Sequence, residues 1–378
     1  MCRRTGIAKF GALRLYERPP ARAAAQETEA TAVTGRIHLM QAWRTALLAI
    51  VLANGAAAQT PKANGETLNI QNYAGTTGNM HAIIAKAKGF CQKYNFTCEV
   101  KTINSAALGI QALIGKSIDV AQGGTELAAA SQIAGGDVVV VATSLPANVL
   151  SVSTRNDVPL PNKQNGYPAI MKDFKGLKVG ITARGTVSEK FFNTMLAEGG
   201  LQPSDVVYVA VGGPQTAYTT MVIGKQVDAV VMFQPLTQLC RFNKTCDTVI
   251  DMTQGEGPAA IKAMNGSSVP FLMRREFADS HPQLMEAFYA AFRDAAAWFN
   301  DPANFEELVK IYTPLVSFGE LPGADELRRE WIKNVIPAYS KELKVDRQAI
   351  KAVIAYYTAA GMLDKPVDVD KLIWPKAP

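Results

Sequence analysis

The sequence predicts an α/β protein of two similar lobes, and three observations carry that prediction. Its 378 residues exceed what one hydrophobic core usually serves. From Leu68 onward, short β-rich runs alternate with helical stretches, the pattern of layered, largely parallel sheets. One segment also occurs twice: Ile114-Gly115-Lys116-Ser117-Ile118-Asp119-Val120 returns 109 positions later as Ile223-Gly224-Lys225-Gln226-Val227-Asp228-Ala229. Each copy sets a glycine at a helix C-terminus and an aspartate at the start of a strand. At 48% apolar and 19% charged, the chain is neither disordered, nor collagen-like, nor a polytopic membrane protein.

The elements follow in order. Leu68 to Tyr73 reads as a strand, Gly75 to Gly78 as a turn, and Asn79 to Lys88 as a helix that Gly89 stops. Cys98 to Ile103 is the second strand, Ala107 to Ile114 the second helix and Ile118 to Gln122 the third strand, after which Gly123-Gly124-Thr125 opens a helix. Val138 to Ser144 and Val149 to Ser153 are β-branched runs, and Asn156 to Gly166 is a connection rich in turn residues. The second unit repeats this: strand Lys178 to Thr182, cap Ala183 to Ser188, helix Glu189 to Glu198, strand Val206 to Val211, helix Gln215 to Ile223, strand Val227 to Met232. Val269 to Met273 is again strand-like, and a helical tail follows. There Ser280 is expected to cap a helix with Pro282 in its first turn, burying Leu284, Phe288, Phe292, Ala295 and Phe299 on one face. Asp346 is expected to cap Arg347 to Ala360, closed by Gly361.

Residues 1–58 read as a leader rather than as fold. Met40 to Arg44 is a short basic region, Thr45 to Ala53 an apolar run, and Ala56-Ala57-Ala58 a small-residue site that predicts cleavage after Ala58. The apolar run is about half of the ~20 residues a spanning helix needs; a buried N-terminal helix is the alternative. Met1 to Leu39, without periodicity, reads as an upstream extension of 39 residues before a signal peptide at 40–58. Arg3-Arg4 is followed by Arg14, Glu17 and Arg18 where a twin-arginine signal needs an apolar run. The leader holds eight basic and three acidic residues, so it carries +5 of the net +6, and a nearly neutral mature chain has no basic stripe for nucleic acid. Export to an oxidising compartment, the periplasm, suits Cys91, Cys98, Cys240 and Cys246, whose spacings of seven and six allow two local disulfides; four free thiols are the alternative.

With this organisation the chain resembles the solute-binding proteins of bacterial ABC importers, in the nitrate/sulfonate/taurine group related to NMT1/THI5-like proteins. The resemblance rests on Ala85 to Cys91 (AKAKGFC), both copies of the repeated segment, Asp173 to Gly180 (DFKGLKVG) and Phe233-Gln234-Pro235, and it covers Leu68 to Phe299. Cys91 stands where the family usually has an aromatic residue, a departure that pairing with Cys98 explains. The resemblance implies the two-lobed periplasmic binding protein fold, type II-like, with two Rossmann-like lobes joined by two crossing strands near Val149 to Thr154 and Ser267 to Met273. Lobe 1 is then 59–153 plus 268–378, and lobe 2 is 154–267. It further implies a monomer without cofactor or metal that closes over a small-molecule ligand and delivers it to an inner-membrane ABC permease.

In open α/β sheets ligands bind beyond the carboxyl ends of the strands, which selects the candidate residues. They are Tyr73, Thr76, Thr77, Asn104, Ser105, Gly124 and Thr125 in lobe 1, and Arg184, Gly185, Thr186, Ser188, Gly213, Gln215, Phe233 and Gln234 in lobe 2. Arg184 is the one cation among these loops, so an anionic ligand is expected: a sulfonate, a carboxylate or an aromatic acid. Catalysis is not expected, because the mature chain has only His81 and His281 and assembles no recognisable triad, metal cluster or phosphate loop. An enzyme on the same fold, a pyrimidine synthase or a small-molecule lyase, is the alternative; the first would need a cysteine-rich iron motif absent here.

Overall fold

Two five-stranded sheets with the same strand order organise the chain. The computed structural model describes residues 60–378 except 74, 104, 105, 317 and 319–322; the expected leader and its cleavage site lie outside the described residues. Strand β1 (Thr67–Asn72) pairs in parallel with β2 (Thr97–Thr102), and β3 (Ala121–Gln122) and β4 (Val138–Leu145) flank β10 (Val269–Arg274), which is antiparallel to both. A parallel bridge between Ile70 and Val120 joins these pieces, giving the order β2-β1-β3-β10-β4. The second sheet has β7 (Val207–Ala210), β6 (Lys178–Ile181), β8 (Ala229–Phe233), β5 (Leu150–Arg155) and β9 (Cys246–Asp251) in the order β7-β6-β8-β5-β9, and β5 is its antiparallel member. Each sheet therefore receives as its fourth strand the one entering from the other lobe. Because β5 pairs wholly in the second sheet and β10 wholly in the first, the chain changes sheet in segments 146–149 and 252–268. The two segments are clipped together: the Gly266 and Ser268 amides donate to the Pro146 carbonyl at 2.7 and 3.3 Å.

Helix α1 (Met80–Ala87) begins where the Asn79 side chain accepts from the Ala82 amide at 3.1 Å, and it ends before Gly89, at φ +70°. The short α2 (Phe90–Lys93) carries Cys91, bonded to Cys98 of β2, while α3 (Ala106–Ile114) and α4 (Thr125–Ile133) complete the first layer. In the second lobe α5 (Val187–Glu198), α6 (Pro214–Tyr218), α7 (Leu236–Asn243) and α8 (Ala259–Lys262) do the same, and Cys240–Cys246 ties α7 to β9. Both local disulfides expected from spacing are present.

Three local readings change. The helix expected over Gln215 to Ile223 is α-helical only to Tyr218 and continues as a π-turn over Thr219–Ile223, which keeps Ala217 and Met221 buried and leaves Ile223 71% exposed. Ser280 caps nothing: it ends α9 (Arg275–Ser280), and its hydroxyl donates back to the Glu276 carbonyl at 2.7 Å. α10 (Pro282–Asn300) starts instead from His281. Strand β9 was not expected, because its Asp-rich CDTVID sequence buries little of an edge strand.

Along α10 the expected face of Leu284, Phe288, Phe292, Ala295 and Phe299 is buried and, with Phe271 of β10, forms the centre of the first core. Phe174, Val179, Phe192 and Val231 centre the second. The tail adds α11 (Phe305–Tyr312), α12 (Ala324–Val335) and α13 (Arg347–Ala359), which Asp346 caps by accepting from Gln348 and Ala349 amides. Helix α13 sits astride the two lobes: Ile350 and Ile354 join apolar residues of the first, while Val353, Tyr356 and Tyr357 join the second core.

Candidate functional site

Parallel strands deliver their carboxyl ends to the face between the lobes, and a cavity of about 160 Å³ lies there. Lobe 1 supplies Gly124 and Glu126 after β3, with Val269 at the start of β10. Lobe 2 supplies Thr182, Val187, Ser188 and Phe191 after β6, with Phe233 at the end of β8. The crossing segment contributes Asn148, Val149 and Leu150, and α13 closes the back with Val353 and Tyr357. Asn148 is fixed from both sides, its amide donating to Asn265 Oδ1 at 2.8 Å and its Oδ1 accepting from the Leu150 amide at 2.9 Å. The cavity wall thus includes the segment that must bend if the lobes move.

Glu126 is the only charged side chain lining this cavity among the described residues, and the sequence reading missed it. Its carboxylate folds back over Gly124: a Cβ built on that glycine would stand 2.0 Å from Glu126 Oε2, so a side chain there displaces the carboxylate. Burial pushes the Glu126 carboxyl above the usual carboxylate range, its own backbone amide and the field of Lys190 only partly compensating. The signal was one residue past Gly-Gly-Thr, but a glutamate in a first helical turn reads as a favourable dipole partner.

The expected candidates take different places. Gly124, Ser188 and Phe233 line the cavity. A second group holds the walls in place. Tyr73 donates its hydroxyl to the Gln122 carbonyl, Thr76 donates to the Tyr73 carbonyl at 3.3 Å, and Thr77 is buried, accepting from Tyr339 at 3.0 Å. Thr186 shares its hydroxyl with Thr182 at 2.8 Å and Ser188 at 2.9 Å, and the Gly185 amide donates to Glu189 at 2.6 Å. Gly213 is the N-cap of α6. Gln215 links the lobes: its Nε2 donates to the Gly75 carbonyl at 2.9 Å, across the mouth of the cleft. Thr125 Oγ1 and Gln234 Oε1 are buried without partners. Asn104 and Ser105 lie outside the described residues.

Arg184 stands apart. Its side chain is 64% exposed, with Nη1 2.9 Å from Glu189 Oε1 and the guanidinium 5.1 Å over the Tyr208 ring. It does not line the cavity.

A family model, the NMT1-like family, matches residues 63–313. The chain belongs to the NMT1-like family. No curated protein sequence matches it. Among solved structures, it is similar to the periplasmic aliphatic sulphonate binding protein SsuA from Escherichia coli, with TM-score 0.64, 18% identity, and 83% of this chain and 99% of that one covered. The alkanesulfonate-binding protein SsuA from Xanthomonas axonopodis pv. citri, bound to MOPS, gives TM-score 0.63 and 16% identity over 82% and 99%. The periplasmic nitrate-binding protein NrtA from Synechocystis PCC 6803 gives 0.55 and 18% over 82% and 88%. These likenesses establish the two-lobed periplasmic binding protein fold for this NMT1-like chain.

Proposed function

We propose that this NMT1-like protein is the periplasmic ligand-binding component of an ABC importer, capturing a small organic solute between its lobes by hinge closure. The observation that carries the reading is the cavity itself, walled by both lobes and by the crossing segment Asn148 to Leu150. Family membership and structural neighbours named as sulfonate- and nitrate-binding proteins support it. A solute touching Gly124 on one side and Ser188 and Phe233 on the other interacts with both lobes only when they are together. Its binding free energy therefore favours the closed state. Gln215–Gly75 and the Arg241–Glu330 pair at 3.6 Å would add to closure. The anionic class suggested by Arg184 is not part of this proposal, because that guanidinium is exposed and bound to Glu189.

Equilibrium dialysis of the exported protein against sulfonates, carboxylates, aromatic acids and amines, with small-angle scattering on each mixture, tests the proposal. Saturable binding with a fall in radius of gyration is expected. Chemical turnover of a solute in place of stable binding would shift the reading to an enzyme.

A further inference from the structure

The charged side chain inside the cleft is acidic, and among the described residues no cation pairs with it. Glu126 forms no ion pair with any described residue; Lys190, whose field reaches it, is held with Nζ 5.5 Å over the Tyr357 ring. The cavity lining also includes three aromatic residues, Phe191, Phe233 and Tyr357, and no described Lys or Arg. Two further oxygens without partners, Thr125 Oγ1 and Gln234 Oε1, flank the lining residues Gly124 and Phe233 in the chain. A sulfonate or carboxylate entering here would meet a like charge in a poorly solvated space, where the repulsion is weakly screened.

We propose that the cavity selects a solute bearing a protonated nitrogen, an ammonium or amidinium, on a compact apolar body, with Glu126 as its acceptor and the aromatic walls around it. The proposal rests on the solute-binding reading above. Charge-assisted N–H···O bonds to Glu126 would relieve the desolvated carboxylate, and ring faces favour a cation at close range. Volume sets the size: a cavity of about 160 Å³ compares with the roughly 150 Å³ that takes up one benzene. Position 124 belongs to the same device, since only a residue without Cβ lets the carboxylate rest where it does.

The test is isothermal titration of the full protein with benzamidinium and benzylammonium against benzenesulfonate and benzoate, at matched ionic strength. The cations are expected to bind about tenfold or more tighter than the anions. Glu126→Gln should lower cation affinity by about tenfold or more without lowering the melting temperature, while Arg184→Ala leaves the affinity alone. Tighter binding of benzenesulfonate, or benzamidinium affinity indifferent to Glu126→Gln, overturns the assignment. Closure by sulfonates or carboxylates but not amines overturns the ligand class and leaves the solute-binding reading standing. Closure by no solute of either charge overturns both.

Discussion

The repeated segment does the same task in both lobes, yet in different surroundings. In lobe 1, Asp119 Oδ2 accepts from the Asn69 amide and side chain at 2.9 Å each, holding the start of β1. Its other oxygen lies 3.4 Å from Arg274, the last residue of β10, whose guanidinium also donates to the Leu113 and Ile118 carbonyls. In lobe 2, Asp228 accepts from the Lys178 amide at 2.9 Å at the start of β6 and pairs at 3.0 Å with Arg155, the last residue of β5, which donates to the Val227 carbonyl. Each clasp thus fastens the strand arriving from the other lobe to the lobe's own first parallel strand. The difference is solvent and company. Arg274 and Asp119 side chains are each 11% exposed, whereas Asp228 is 26% exposed and Arg155 has a second carboxylate, Asp157, at 2.8 Å. Both arginines have a second carboxylate, but Glu276 stands 3.6 Å from Arg274 whereas Asp157 stands 2.8 Å from Arg155, so the drier lobe 1 clasp depends more on its aspartate.

That contrast yields the largest expected effect. Asp119→Ala leaves Arg274 only the more distant Glu276, at 3.6 Å, and orphans the Asn69 amide, so unfolding free energy should fall by about 3 kcal/mol. Asp228→Ala leaves Arg155 with Asp157, and the loss should be about 1–2 kcal/mol. Urea unfolding of both variants decides the matter. Equal losses would show that burial is not what distinguishes the clasps.

Titration next separates two groups of lobe 1, one in its core and one at the cavity. His81, in the core of lobe 1, has Nε2 2.7 Å from the Ser340 carbonyl, an unpartnered Nδ1, and rings of Phe271, Phe292, Phe299 and Tyr339 around it. Burial lowers its pKa from 6.5 to about 4. The unfolded chain therefore takes the proton first, and stability that is intact above pH 6.5 is lost as pH falls toward 4. Between pH 7 and 5 the loss should be about 2 kcal/mol, and a His81→Phe variant should not show it. Glu126 works in the opposite sense: with its carboxyl raised, the folded protein takes the proton first and acidification favours folding. Matched pH series on the wild type and on His81→Phe separate these contributions. Identical pH slopes would mean that the His81 environment opens to water before unfolding.

The same contrast shows what the sequence could and could not reveal. The aspartate half of each clasp is visible as a repeat, because helix end, glycine and strand start are encoded within seven neighbouring residues. The arginine half is invisible, since Arg155 and Arg274 sit in unrelated contexts and meet their partners only through the crossing topology. Helix faces such as Phe288 and Phe292 were legible by period, and the paired cysteines by spacing. Of the residues chosen from loops after strand ends, Gly124, Ser188 and Phe233 line the cavity. They did not reveal which way Arg184 and Glu126 turn. Glu189, five residues beyond Arg184 in the first turn of α5, captures that guanidinium locally, whereas Glu126 has no basic neighbour at such spacing and keeps its carboxylate in the cavity.

The smallest effect tests one of the polar contacts that join the lobes. Gln215 reaches across from α6 to the Gly75 carbonyl, and Gly75 itself, at φ +68°, needs the left-handed backbone that a side chain would strain. A neutral hydrogen bond at a solvent-accessible mouth contributes about 0.5–1.5 kcal/mol. Gln215→Ala should therefore weaken solute affinity by about three- to tenfold, because the contact exists only when the lobes are closed. Urea stability of the unliganded protein should barely move, since neither core loses an atom. This is the inverse of the clasp variants, which are expected to change stability while leaving the cavity lining intact. A Gln215→Ala protein with full affinity would assign closure to the solute and to α13, and would leave the Gln215 contact a consequence of closure rather than one of its causes.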